Sequence, residues 1–319
     1  SHVIVTGQGS TWTNSGDLIL GGSSLENQTS SHGTLTIQDG GSVWVGGTLR
    51  IFNGDRVTLD GGTIRFNGYN RNAAGTFDYQ SGTVQLAGNR TVGSDGAISD
   101  LFGVAPLVDT GKGLTVEGTA TLNTTLTLNG GTFTANGLNN SGNLNFASGT
   151  LAINGGVTGN VVIPELGMLT GTSSITGHVI NSGLISPGNS PGTLTVDGDY
   201  TQTFNGTLTM ELGGLVQGAE YDHLNVSGLL TLGGTLQIES WDGFMPTLGN
   251  TFQLFSFGST TGSFDTINAF TLGEGLAWDF SQLNQSGLIT VVNTIPEPSS
   301  ALLILIGAGL LAARKRRKA

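Results

Sequence analysis

The sequence predicts an all-β chain: a right-handed parallel β-helix with a C-terminal β cap, followed by a single short hydrophobic helix. Three observations point there. A short Gly-Thr motif recurs along the chain, Gly supplies 54 of 319 residues, and no segment before Ser299 shows a helical period. A strand too short to bury its apolar face alone must stack on the next copy of itself, which is how a solenoid forms. A β-sandwich of the same strand content is the alternative.

Residues 1–160 read as Gly/Thr/Asn-rich solenoid repeats. The string Gly-Thr-Φ-x-Φ, with Φ apolar, appears as Gly33-Thr34-Leu35-Thr36-Ile37, Gly47-Thr48-Leu49-Arg50-Ile51, Gly62-Thr63-Ile64-Arg65-Phe66 and Gly82-Thr83-Val84-Gln85-Leu86. Its opening returns at Gly131-Thr132, Gly149-Thr150, Gly192-Thr193, Gly206-Thr207 and Gly234-Thr235. Most steps between copies are comparable in length or near a multiple of one another. In a strand Leu35 and Ile37 face one way and Thr34 and Thr36 the other. Thr suits the pleat through its β-branch. Asp39-Gly40, Asp60-Gly61, Asp95-Gly96 and Asp197-Gly198 supply corners. Nine Asn fall in residues 123–160, where stacked carboxamides can bond from one rung to the next.

Composition excludes several classes. There is no Cys, so neither a disulfide framework nor a thiolate metal site exists. Lys and Arg total 11 against 22 Asp and Glu, a net charge of −11, which argues against nucleic acid. Five of the eleven basic residues are the C-terminal Arg314, Lys315, Arg316, Arg317 and Lys318. A charge asymmetry of that size divides the chain into parts with different surroundings.

Residues 293–319 form the second part. Pro296, Glu297 and Pro298 precede an uncharged, largely apolar run of Ser299, Ser300, Ala301, Leu302, Leu303, Ile304, Leu305, Ile306, Gly307, Ala308, Gly309, Leu310, Leu311, Ala312 and Ala313. As a helix this run spans roughly 22 Å, short of the ~30 Å hydrocarbon core. Local thinning and snorkelling of Arg314 and Lys315 close the gap. The basic cluster then stays cytoplasmic and the body lies outside. The order Pro-Glu-Pro, short hydrophobic helix and basic cluster resembles the PEP-CTERM sorting signal. That resemblance implies export, a transient membrane anchor and processing near Glu297 by an exosortase. It also implies delivery to the surface or extracellular matrix of a Gram-negative-type, exopolysaccharide-producing bacterium. The chain opens Ser1-His2-Val3, so a signal peptide removed upstream is expected.

Residues 161–292 carry a second resemblance. Gly183 to Leu194 includes Ser186-Pro187-Gly188-Asn189-Ser190-Pro191-Gly192-Thr193-Leu194 and is similar to a segment of autotransporter passenger domains. Asp222-His223-Leu224-Asn225-Val226-Ser227-Gly228 is similar to a strand of the same family, and the stretch from Gly275 to Val292 resembles closing strands found before PEP-CTERM tails. The implied architecture is a β-helix. Phe252, Phe255, Phe257, Phe264, Phe270, Phe280 and Trp278 are expected to form the core of a capping element that covers open strand edges.

Little points to catalysis. The body holds one Lys and five Arg, and its four His are scattered. His178 is expected on a rung surface. Arg50 and Arg65 are expected on one outer face near Asp55 and Asp60, as solvated charges. Asp95, Asp100 and Asp109 fall in a loop-like run without a calcium-binding pattern. No cofactor or metal is expected. The expected role is a non-enzymatic structural or adhesive protein of an exopolysaccharide-rich envelope or biofilm, with exosortase as partner. The alternative is a secreted β-helix polysaccharide lyase or hydrolase delivered by the same route.

Overall fold

The computed structural model describes residues 1–21, 32–171, 174–188 and 191–294. They form an all-β structure in which nearly every pairing is parallel, an arrangement compatible with a β-helix. The Gly-Thr strings are strands with the expected facing. Leu35, Ile37, Leu49, Ile51, Ile64, Phe66, Val84 and Leu86 are buried, while Thr34, Thr36, Thr63 and Thr83 are half-buried on the other side. Each apolar side chain so buried contributes about 1.5–3 kcal/mol over an exposed one.

Each repeat holds more strands than the motif alone shows. Gly156–Thr158, Val161–Ile163 and Gly167–Gly171 pair with Ser174–Thr176, Val179–Asn181 and Leu184–Pro187, respectively. Those pair in turn with Thr193–Asp197, Tyr200–Gln202 and Thr207–Leu212. One unit therefore carries three strands, not one. Its length also varies. Gly156 lies opposite Ser174, a short circuit of the stack, whereas Gly82 lies opposite Lys112, a much longer one that takes in a helix.

One corner is built three times. The long strands Ser42–Ile51, Lys112–Leu122 and His223–Leu232 each bend where the register slips, between Val45 and Thr48, Val116 and Thr119, and Val226 and Leu229. At each bend a side chain on the preceding unit accepts a backbone N–H: Asp17 from Thr48, Asn89 from Thr119 and Asp199 from Leu229, all at 2.8 Å. Gly47, Gly118 and Gly228 precede those donors. A Cβ there would stand 2.3 Å from the same accepting oxygen, so the bend requires glycine.

Two short helices, Gly96–Phe102 and Leu283–Ser286, correct the expectation of no helix before Ser299. Asp95-Gly96 is accordingly not a corner. The Asp95 carboxylate caps the first helix, accepting N–H groups of Ala97 at 2.9 Å and Ile98 at 3.1 Å. Helices this short leave no hydrophobic period in the sequence.

At the C-terminal end the pairing changes. Thr251–Gln253, Leu276–Asp279 and Leu288–Asn293 form an antiparallel sheet with the last strand in the middle. Phe252 is fully buried, with ring centroids of Tyr221 at 5.3 Å and Trp278 at 6.0 Å. Phe255 packs on Phe264 at 5.9 Å, and Phe257, Phe270 and Phe280 are partly buried against the core. The Phe-rich segment is thus core, as expected.

Candidate functional site

The predicted sorting residues Pro296, Glu297 and Pro298, the helix Ser299–Ala313 and the basic cluster Arg314–Lys318 lie outside the described residues. Among the described residues no helix is long and apolar enough to cross a membrane. Leu288–Asn293 is the central strand of the closing sheet, hydrogen-bonded on both sides. The next residue, Thr294, still donates its N–H to Gly275 at 2.8 Å. Glu297 follows three positions later in the sequence.

The other sequence candidates do not converge. His178 is exposed and stands 3.4 Å from Asp199, a surface position as expected. Arg50 and Arg65 do not share a face: Arg50 is in register with Asn70, and Arg65 with Trp44 and Gln85. Nor do they meet Asp55 and Asp60. Arg50 pairs with Asp17 at 3.1 Å, and Arg65 grips Glu117 at 2.6 and 2.7 Å. The reason is the bend at Gly46-Gly47, which sends the two Gly-Thr strings to different sides. Asp55 is buried, and its carboxylate accepts the Gly33 N–H at 2.5 Å.

Asp95, Asp100 and Asp109 each have separate work. Asp95 caps its helix, Asp100 binds Arg71 and the Tyr69 hydroxyl, and Asp109 accepts from Thr110 at 3.0 Å and Asn129 at 3.1 Å. The Arg71 guanidinium holds the Asp100 carboxyl below its ordinary range. Among the described residues no group of three His, Cys, Asp or Glu is placed to hold a metal ion.

Sequence reasoning missed two buried polar centres. Asn181 and Gln202 occupy an inward column in register with Ile163. Asn181 donates to Thr207 O at 3.0 Å and accepts from Gly183 at 3.1 Å, while Gln202 donates to Thr235 O at 2.8 Å and accepts the Tyr200 hydroxyl at 2.9 Å. The second is Asp222, fully buried, which accepts backbone N–H groups of Gly192 at 2.7 Å and Glu211 at 2.8 Å. Burial pushes its carboxyl up to about 7, against those two hydrogen bonds. Both oxygens are occupied by backbone, so this carboxylate clamps two elements together. The sequence signal was present for the first centre: Asn181 and Gln202 stand where the alternation calls for an apolar residue.

Residues 294–318 match the family profile described as the PEP-CTERM protein-sorting motif. No curated protein matches the chain. The match begins at Thr294, the residue that follows the strand Leu288–Asn293. It marks the chain as an exported protein with a C-terminal signal addressed to an exosortase.

Proposed function

We propose that the chain is a cell-surface or extracellular-matrix protein with a structural or adhesive role, associated with exopolysaccharide and without enzymatic activity. Its body is a right-handed parallel β-helix closed by the C-terminal antiparallel sheet. The tail from Ser299 holds the precursor briefly in the inner membrane, with Arg314–Lys318 cytoplasmic, until exosortase acts near Pro296-Glu297-Pro298. The observation that carries this reading is the sorting motif at residues 294–318, joined directly to the last strand. Further support comes from the carboxylates: all five Arg of the body are ion-paired, and Asp222 is occupied by backbone. None of these groups forms a free acid–base pair of the kind glycan cleavage needs.

The test is maturation in a host that has its own exosortase. Glu297→Ala, or removal of residues 301–319, should leave an unprocessed or mislocalised product. Unchanged maturation of both would defeat the sorting claim. Incubating the protein with neutral and acidic polysaccharides should release no reducing ends or unsaturated products; their appearance would make it an enzyme.

A further inference from the structure

Two outward columns run along the parallel stack. Thr63, Thr83, Gly113, Thr132 and Thr150 stand in register in the first. Two positions further along, in a column that starts one strand earlier, Trp44, Arg65, Gln85, Thr115 and Thr134 stand in the second. Between them the inward column is Ile64, Val84, Leu114 and Phe133, all fully buried, which keeps the outer side chains in fixed rows. Neighbouring parallel strands are about 4.8 Å apart. That is close to the length of one sugar in an extended polysaccharide chain.

Three features distinguish this face. First, its two columns are nearly uncharged in a protein of net charge −11, with Lys112 at their edge. Among the ten residues named, the one charge is Arg65, and Glu117 neutralises it through two hydrogen bonds while Gln85 donates to the same carboxylate at 2.7 Å. Second, Trp44 is 43% exposed, and its ring is held from one side by the Arg65 guanidinium, 5.9 Å from the ring centroid. Third, a notch of about 240 Å³ opens beside the first column, lined by Thr83, Lys112, Gly113, Gly131 and Thr132. The notch is firmly built: the Tyr79 hydroxyl accepts the Gly113 N–H at 3.0 Å and donates to Gly82 O at 2.9 Å. The Lys112 ammonium lies over the Tyr79 ring, 4.9 Å from its centroid. Trp44 and Thr115 are three rungs apart, about 14 Å.

We infer that this face is a binding track for an uncharged polysaccharide laid along the stack, one sugar per rung. A pyranose ring stacks on the free side of Trp44, threonine hydroxyls and Gln85 bond to sugar hydroxyls, and a ring substituent sits in the notch between Lys112 and Thr132. The acidic body repels a polyanion, so the track selects a neutral chain. The inference rests on the exopolysaccharide reading above and assigns its contact surface.

The experiment is co-sedimentation of the full chain with insoluble neutral β-glucans, cellulose and a β-1,3-glucan, alongside affinity electrophoresis in alginate. Trp44→Ala should weaken glucan binding about tenfold. Thr132→Lys, at an exposed position in the first column, should weaken it several-fold. Thr158→Lys, exposed on a different strand series, should bind as the parent does. Melting curves confirm that all three fold. Equal glucan binding by every variant would overturn the track while leaving polysaccharide association intact. Binding to alginate alone would overturn the choice of a neutral ligand. A dimer broken by Thr132→Lys would show that the face pairs with a second copy instead. Retention of no polysaccharide by any protein would defeat both this inference and the reading it rests on.

Discussion

The two ends of the body hold themselves together by different means. Residues 1–122 contain every Arg of the body, and each is paired with a carboxylate: Arg50 with Asp17, Arg56 with Asp78, Arg65 with Glu117, Arg71 with Asp100 and Arg90 with Asp95. An aromatic row of Phe66, Tyr69, Phe77, Tyr79 and Phe102 runs beside them, with centroids 5.4 to 6.3 Å apart. Residues 161–294 contain no Lys or Arg at all. There the cross-links are buried: the Asn181–Gln202 column and the Asp222 clamp. Partly exposed ion pairs contribute little each and are screened by salt. Buried polar groups cost much more to disturb, because their partners are left without water or protein to bond.

The largest expected effect comes from removing the clamp. Asp222→Ala strands two buried backbone N–H groups and should cost about 3 kcal/mol in chemical denaturation. A loss no larger than that of a surface substitution would erase the contrast between the two ends. Asn181→Ala comes next, at about 2 kcal/mol, since Gly183 and Thr207 each lose a partner.

The two ends should also respond to pH with opposite sign. Burial raises the folded-state carboxyl of Asp222 to about 7, so its contribution is fully present below the unfolded value near 4 and is lost as pH rises through about 7. Asp17, Asp100 and Glu117 are held low, Asp17 chiefly by the Thr48 N–H and the other two by Arg71 and Arg65. Their contribution is present above about 4 and is lost as pH falls below that. Hydrogen exchange read region by region at pH 5 and pH 7.5 should show residues 191–225 better protected at pH 5, and Asp222→Asn should remove the difference. Protection that is independent of pH in the parent protein would sink the assignment. The smallest effect is Arg65→Ala, about 1 kcal/mol, shrinking further in high salt. Equal loss in low and high salt would mean that packing of Arg65 on Trp44, not its charge, is what counts.

Much of this is legible before any tertiary structure. The facing of Leu35 and Ile37, Ile64 and Phe66, and Val84 and Leu86 follows from period-two alternation, and the aromatic closing core from the density of Phe after Thr251. The sorting motif is readable because its three parts are contiguous. Asn181 and Gln202 escape a sequence reading because polar residues in a Gly- and Asn-rich chain look like corners. The helix at Gly96–Phe102 escapes it because so short a segment holds no repeat of a helical period.

The sequence by itself determined that short strands stack with Leu, Ile, Val and Phe inward, and that a charged tail of separate character follows. Both are local properties, set by side-chain alternation and by charge. Only the tertiary structure decided which strand lies against which. Met168 lies opposite Leu184 after a short circuit, but His2 lies opposite Thr34 after one twice as long. With loops so unequal between partners, the Gly-Thr spacing gives the register only in places, as where Thr63 lies opposite Thr83 and Thr132 opposite Thr150. Register in turn placed Arg65 beside Glu117 rather than Asp60, and Trp44 in one row with Gln85 and Thr115. Such contacts join segments far apart in the chain, and no local pattern encodes them.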